Sequence, residues 1–145
     1  MNPVPTEAQI LIARCIAAAF LGLALLHLYW VAGGRRGFEA AVPSLPDGAP
    51  AFTPSRVMTA CVAAALLACA AVVWANGDAR WAMFQPIPRW LCGTLGVVML
   101  LRAVGDFRLV GFFKRLRHSR FARLDTRYYS PLCLALGIAC LWIAA

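Results

Sequence analysis

In "RAVGDFRLVGFFKR", residues 102–115, two arginines and an aspartate interrupt a run that is otherwise apolar from Trp90 onward. Arg102 and Asp106 are spaced i, i+4, the interval that places two side chains on one face of a helix. A charge near the centre of a bilayer costs at least about 2.5–3.5 kcal/mol on insertion scales, so such residues face a bundle interior and mark function by default. Buried ion pairs can also do no more than fix how helices register. The Arg102–Asp106 spacing is therefore read as a pair that either anchors a ligand or moves a proton, against the plainer reading of an ion pair that holds the fold. Gly105 beside it would let a second helix approach closely. Arg108 falls on the opposite side of the helical wheel and snorkels to the inner interface.

A second group of polar residues is expected at the same level. His27 lies about as far into the first apolar block as Asp106 lies into the third. With both helices running outside to inside at about 1.5 Å per residue, the two side chains meet some 25 Å from the outer ends. Trp30 shares the His27 face. Asp125, Thr126, Tyr128, Tyr129 and Ser130 open the fourth block at that same inner side. The candidate site is thus His27, Trp30, Arg102, Asp106, Arg108, Asp125, Tyr128, Tyr129 and Ser130, near the cytoplasmic end of a bundle.

The elements that must position these residues are legible as blocks. The chain has 145 residues, of which 62% are hydrophobic, and a mean hydropathy of +0.72. A soluble domain is nearer half apolar. Four blocks approach or exceed the length that crosses a bilayer as a helix: about Ile10–Ala32, Val57–Ala75, Trp90–Phe113 and Ser130–Ala145. They are too long and too rich in Ala and Leu for buried strands. The expected fold is a single all-α domain, a membrane-spanning four-helix bundle. Thr53-Pro54 and Ser130-Pro131 read as an N-cap followed by proline at the first helical position. Pro86 and Pro88 precede the third block, and Pro43–Pro54 reads as a loop. A cleaved signal peptide is not expected, because Arg14 lies inside the first block and no basic segment precedes it.

Charge sets the expected orientation. The net charge is +8, and the basic residues gather in two loops on one side: Arg35, Arg36 and Arg56, then Lys114, Arg115, Arg117, Arg120, Arg123 and Arg127. The intervening loop holds Arg80 and Arg89. The positive-inside rule places the two basic loops in the cytoplasm and both termini in the periplasm. The basic run is read as topology and contact with anionic headgroups. Stacking aromatics in a soluble module are missing, so no nucleic-acid partner is expected. The six cysteines all fall inside apolar blocks, with no C-x-x-C and no Cys/His cluster at metal spacing, so neither a metal nor a thiol redox site is expected. With His27 the one histidine in a span, a bis-His haem is disfavoured, and no cofactor is assigned.

The segments "HLYWVAGG", "RAVGDFRLVGFFKR" and "FARLDTRYYSPLCL" resemble those of a family of small four-span bacterial integral membrane proteins catalogued as a domain of unknown function. The marks are Arg102, Gly105, Asp106, Phe107 and Arg108, and Asp125, Thr126, Tyr129, Ser130, Pro131 and Leu132. The resemblance covers nearly the whole chain. It implies fold, topology and a bacterial inner-membrane location, and carries no activity. The residues themselves favour a bundle that binds a small apolar or lipid-like ligand with a polar anchor at one end. The alternatives are an intramembrane enzyme on a lipid or quinone-like substrate, with His27 as general base and Arg102 stabilising anionic charge, and a small carrier working as a homo-oligomer. The lipid bilayer is a partner in each case.

Overall fold

The computed structural model describes residues 5–45, 47–78 and 89–145. Arg80, Pro86 and Pro88 lie outside them. The described chain is all-helical apart from a single antiparallel bridge between Ser44 and Pro50 in the loop after α2.

Helix α1 spans Glu7–Val31. It starts at Thr6, whose Oγ1 accepts from the Gln9 amide at 3.2 Å while Gln9 Oε1 accepts from the Thr6 amide at 2.9 Å, a reciprocal cap of the kind that satisfies two orphan donors at once. The short α2, Phe38–Ala41, folds back beside the end of α1. Helix α3 spans Arg56–Asn76, and α4 spans Arg89–Val104. Helix α5, Arg120–Leu124, runs through a π-helical turn at Asp125–Tyr129 into α6, Ser130–Ala144.

Small residues set the packing. Helix α1 lies along α3 and α4 along α6, and the two pairs share one core of Ala13, Ile16, Phe20, Val73, Cys92, Leu136, Cys140 and Ile143. A methyl group built on Gly77 would collide with the Ala13 side chain. On Gly96 it would stand 2.9 Å from the Gly137 carbonyl oxygen, and on Gly137 3.0 Å from that of Gly96. The α4 and α6 backbones therefore cross at van der Waals distance, which the missing side chains permit. Gln9 Nε2 donates to the Trp142 carbonyl at 3.4 Å and so ties the start of α1 to the end of α6.

Outside this core the surface is apolar. Leu11, Leu25, Val57, Leu101 and Ile138 are each more than half exposed. Among the described residues, three helical runs are long and apolar enough to cross a membrane: Glu7–Val31, Arg56–Asn76 and the continuous Arg120–Ala144, with mean hydropathies of 2.1, 2.3 and 1.3. This is the construction of a membrane protein, in which the lipid-facing surface needs no polar cover.

Two expected boundaries differ. The third block does not continue as helix to Phe113, because α4 ends at Val104. The cap of α3 is Ser55, whose Oγ accepts from Met58 N at 3.1 Å, rather than Thr53.

Candidate functional site

Helix α4 stops because Gly105 follows it. Gly105 takes φ 93°, the left-handed conformation open to glycine, and its amide still donates to the Leu101 carbonyl at 2.8 Å. The chain then turns tightly. Asp106 Oδ1 accepts from the amides of Arg108, Leu109 and Val110 at 2.9, 2.7 and 2.9 Å. Phe107 is held at φ 61° within this turn. Gly111, at φ 88°, rests on Gly105, and Phe112 N donates back to the Ala103 carbonyl at 2.8 Å.

The expected Arg102–Asp106 pair is therefore absent, and Asp106 does not join His27 in a common cluster. An i, i+4 pair needs unbroken helix between its members, and the Gly-Asp step breaks it. Asp106 is exposed. The little burial it has opposes ionisation, but its three backbone donors outweigh that and hold the carboxyl below the ordinary carboxylate range. Arg108 and Tyr128 are exposed too, and the Arg127 guanidinium lies 5.4 Å from the Tyr128 ring centre.

The partner of Arg102 is Asp125. Arg102 Nη2 donates to Asp125 Oδ1 at 2.9 Å. Asp125 Oδ2 accepts from Lys114 Nζ at 2.9 Å, Gly111 N at 2.8 Å and Ser130 Oγ at 3.2 Å. Lys114 Nζ completes its set on the Gly111 carbonyl at 2.8 Å and Thr126 Oγ1 at 2.7 Å. The Asp125 side chain is 0% exposed and that of Lys114 1%, while that of Arg102 is 33% exposed. This hub nails the loop after α4 onto the α5–α6 run.

Lys114 groups in the sequence with the arginines of the basic run read as topology and headgroup contact, yet it is buried. It is the one lysine among fourteen basic residues. That singularity is a usable signal, and in the hub the three N–H donors of its ammonium meet Gly111, Asp125 and Thr126.

Ser130 has a different role from the expected cap. The helical run begins at Ser119, whose Oγ accepts from Ala122 N at 3.0 Å. Pro131 then lies inside a continuous helix, where its missing N–H and its ring disturb the preceding turn. The chain accommodates this by widening to π geometry over Asp125–Tyr129, with the Ser130 amide donating to the Asp125 carbonyl. The wider turn brings Ser130 Oγ onto the Asp125 carboxylate.

Beside the hub is a cleft of about 390 Å³ between α1, α2 and the α5–α6 run. It brings together four expected residues, His27, Trp30, Arg102 and Tyr129, while Asp125 and Ser130 stand behind Arg102. Its apolar wall includes Leu23, Leu26, Phe121 and Leu132. Phe121 is buried, its ring centre 6.0 Å from that of Tyr129. The polar groups are mostly engaged. Tyr129 OH donates to the Ala40 carbonyl at 3.3 Å and Trp30 Nε1 to the Arg36 carbonyl at 2.9 Å. His27 Nδ1 lies 2.7 Å from the Leu23 carbonyl. A carbonyl only accepts, so Nδ1 carries a proton and Nε2 is the ring nitrogen left for another partner. Trp30 stands edge-on between His27 and Phe38, at 4.8 and 5.6 Å between ring centres.

The family described as "Protein of unknown function (DUF3995)" matches residues 20–140. The chain belongs to this family. The match runs from Phe20 in α1 to Cys140 in α6, so the DUF3995 region contains the cleft and the whole Asp125 hub. No curated protein and no solved structure matches the chain. Among the described residues no group of His, Cys, Asp or Glu is placed to hold a metal ion, and the six cysteines are free thiols.

Proposed function

We propose that this protein is a four-span protein of the bacterial inner membrane that binds a small apolar or lipid-like molecule in the cleft between α1, α2 and the α5–α6 run. The observation that carries the reading is the lining of that cleft. A wall of leucines and Phe121 is combined with His27, Arg102 and Tyr129. A concave, mostly apolar site with a few placed polar groups is the ordinary form of a small-molecule pocket, whose volume runs about 300–1,000 Å³.

Mass spectrometry of the gently extracted protein tests the reading. A molecule that co-purifies with the wild type and is lost from Leu26→Trp, which fills the cleft from its apolar side, is the expected result. Equal recovery from both proteins would sink the assignment to this cleft.

The enzyme alternative has one observation in its favour. With Nδ1 bonded to the backbone, His27 Nε2 has the form of a positioned base in the same cleft as Arg102. If it acts so, His27→Gln should co-purify with a chemically different species from the wild type. An unchanged species in both proteins favours the binder.

Orientation rests on the charge bias. Arg35, Arg36 and Arg56 and the basic run Lys114–Arg127 flank one end of the bundle, which supports a cytoplasmic position for that end and periplasmic termini. An alkaline phosphatase fusion at Ala145 should be active and one at Arg117 inactive. The reverse pattern would invert the topology.

A further inference from the structure

Arg102 belongs to both the hub and the cleft. Arg102 Nη1 is buried and has no hydrogen-bond partner. An unsatisfied buried donor on a charged group costs more than the roughly 1–3 kcal/mol of a neutral one. The hub does not supply the missing acceptor, since Arg102 meets Asp125 through Nη2. Asp125 Oδ2 already takes three donors, and Oδ1 takes Arg102 Nη2.

The charges do not close either. Arg102 and Lys114 contribute two positive charges against the one negative charge of Asp125, and Lys114 is as buried as the aspartate. The other five of the six carboxylates stand elsewhere. Glu7 opens α1 and Asp78 follows α3, both at the far end of the bundle. Asp47 accepts from Ala49 N, Asp106 is taken up by its own turn, and Glu39 is exposed on α2. Lys114 and Asp125 balance each other, so the excess charge falls on Arg102, whose side chain is 33% exposed and free to meet an anion. Within the cleft, the donors of His27, Trp30 and Tyr129 are each committed to backbone carbonyls. Arg102 is the charged donor among the cleft's lining residues.

We propose that the occupant of the cleft is an anionic amphiphile, whose carboxylate or phosphate head pairs with the Arg102 guanidinium while its apolar part lies against Leu23, Leu26, Phe121 and Leu132. The proposal rests on the cleft reading above and adds the charge of the head. A guanidinium whose second nitrogen is already held by a carboxylate is pre-oriented, so an incoming oxyanion meets a donor that needs no further ordering.

The test uses the full-length protein in a neutral detergent, titrated by native mass spectrometry. The probes are hexadecanoic acid, hexadecyl phosphate, hexadecanol, a diacyl phosphatidic acid and inorganic phosphate. The acid and the alkyl phosphate should each bind one per chain, at least about ten-fold more tightly than the alcohol, as a charge-assisted pair in a desolvated site requires. Arg102→Gln should erase the preference, bringing the acids and the alcohol to equal affinity. Should that variant fail to fold, Arg102→Lys retains a cation for Asp125 but lacks the second donor arm, and should still narrow the preference. Tighter binding of the diacyl lipid would identify a bilayer headgroup as the source of the anion, and tighter binding of the single-chain acids a free acid. Equal binding of acid and alcohol would overturn the anionic head and leave the cleft reading standing. Binding of no amphiphile would overturn both. Inorganic phosphate binding as tightly as its alkyl ester would keep the anion and remove the amphiphile.

Discussion

Two carboxylates bracket the segment that follows α4. Asp106 is exposed and accepts from three amides within the next four residues. Asp125 is buried and accepts from Arg102 on α4, Gly111 and Lys114 in the loop, and Ser130 at the start of α6. The first is a local device, complete once its own turn forms. The second exists only when three segments have met. The exposed aspartate shapes the loop and the buried one decides where the loop sits. Only the second reaches the cleft, through Arg102.

The comparison is broken most severely at Asp125. Asp125→Leu strips the counter-ion from Lys114, whose side chain is 1% exposed. Breaking a buried pair from one side costs roughly 3–5 kcal/mol. A large drop in thermal stability in detergent is expected, with most of it recovered in the Asp125→Leu, Lys114→Met double variant. A single variant that melts like the wild type would show that the hub does not hold the loop.

An intermediate effect is expected at Gly111, which belongs to both regions. It sits at φ 88°, and an added methyl group would collide with the Val104 carbonyl and with Gly105. Gly33 is the matched control, at φ 101° with nothing within 4 Å. Gly33→Ala should cost the left-handed penalty alone, roughly 1–2 kcal/mol. Gly111→Ala should cost clearly more, because the clash also displaces the amide bonded to Asp125. Equal melting temperatures would mean that the turn yields without strain.

The smallest effect belongs to Asp106. Asp106→Ala removes an acceptor from three amides that water can partly satisfy, a loss in the range of about 0.5–2 kcal/mol found for capping residues. Its pH dependence has a definite sign. The folded carboxyl is held below the ordinary range of about 3.9, so its contribution is complete above the unfolded value and is lost as pH falls through the lower folded value. The stability gap between wild type and Asp106→Asn should be flat at neutral pH and shrink below about pH 4. A gap that widens with acid would reverse the assignment.

The features that escaped a reading of the sequence share a physical cause. The i, i+4 interval between Arg102 and Asp106 is an argument about helices, and it lapses one residue past Val104, where Gly105 turns left-handed. Gly105 was visible as a small residue, but small residues both pack helices and end them, and only the chain's return to Ala103 decides between the two. Ser130-Pro131 carries a cap signature in a place where the helix is already under way. The π turn that reconciles proline with that helix also sets Ser130 Oγ on the Asp125 carboxylate. By contrast, the apolar blocks and Arg102 as the costly charge were legible, since both follow from side-chain chemistry alone.

Composition and block length by themselves determined an all-helical membrane protein, because backbone groups in lipid must be satisfied within the segment and apolar side chains can face outward. They also marked Arg102, a charge closing an apolar run, as a residue that calls for a partner. Which partner it takes was decided by tertiary structure. Asp106 is nearer in sequence, yet its own turn supplies three amides at no cost in long-range ordering. Asp125 is left to gather Arg102 and Lys114 from segments that meet only after α4, the loop and α6 have packed.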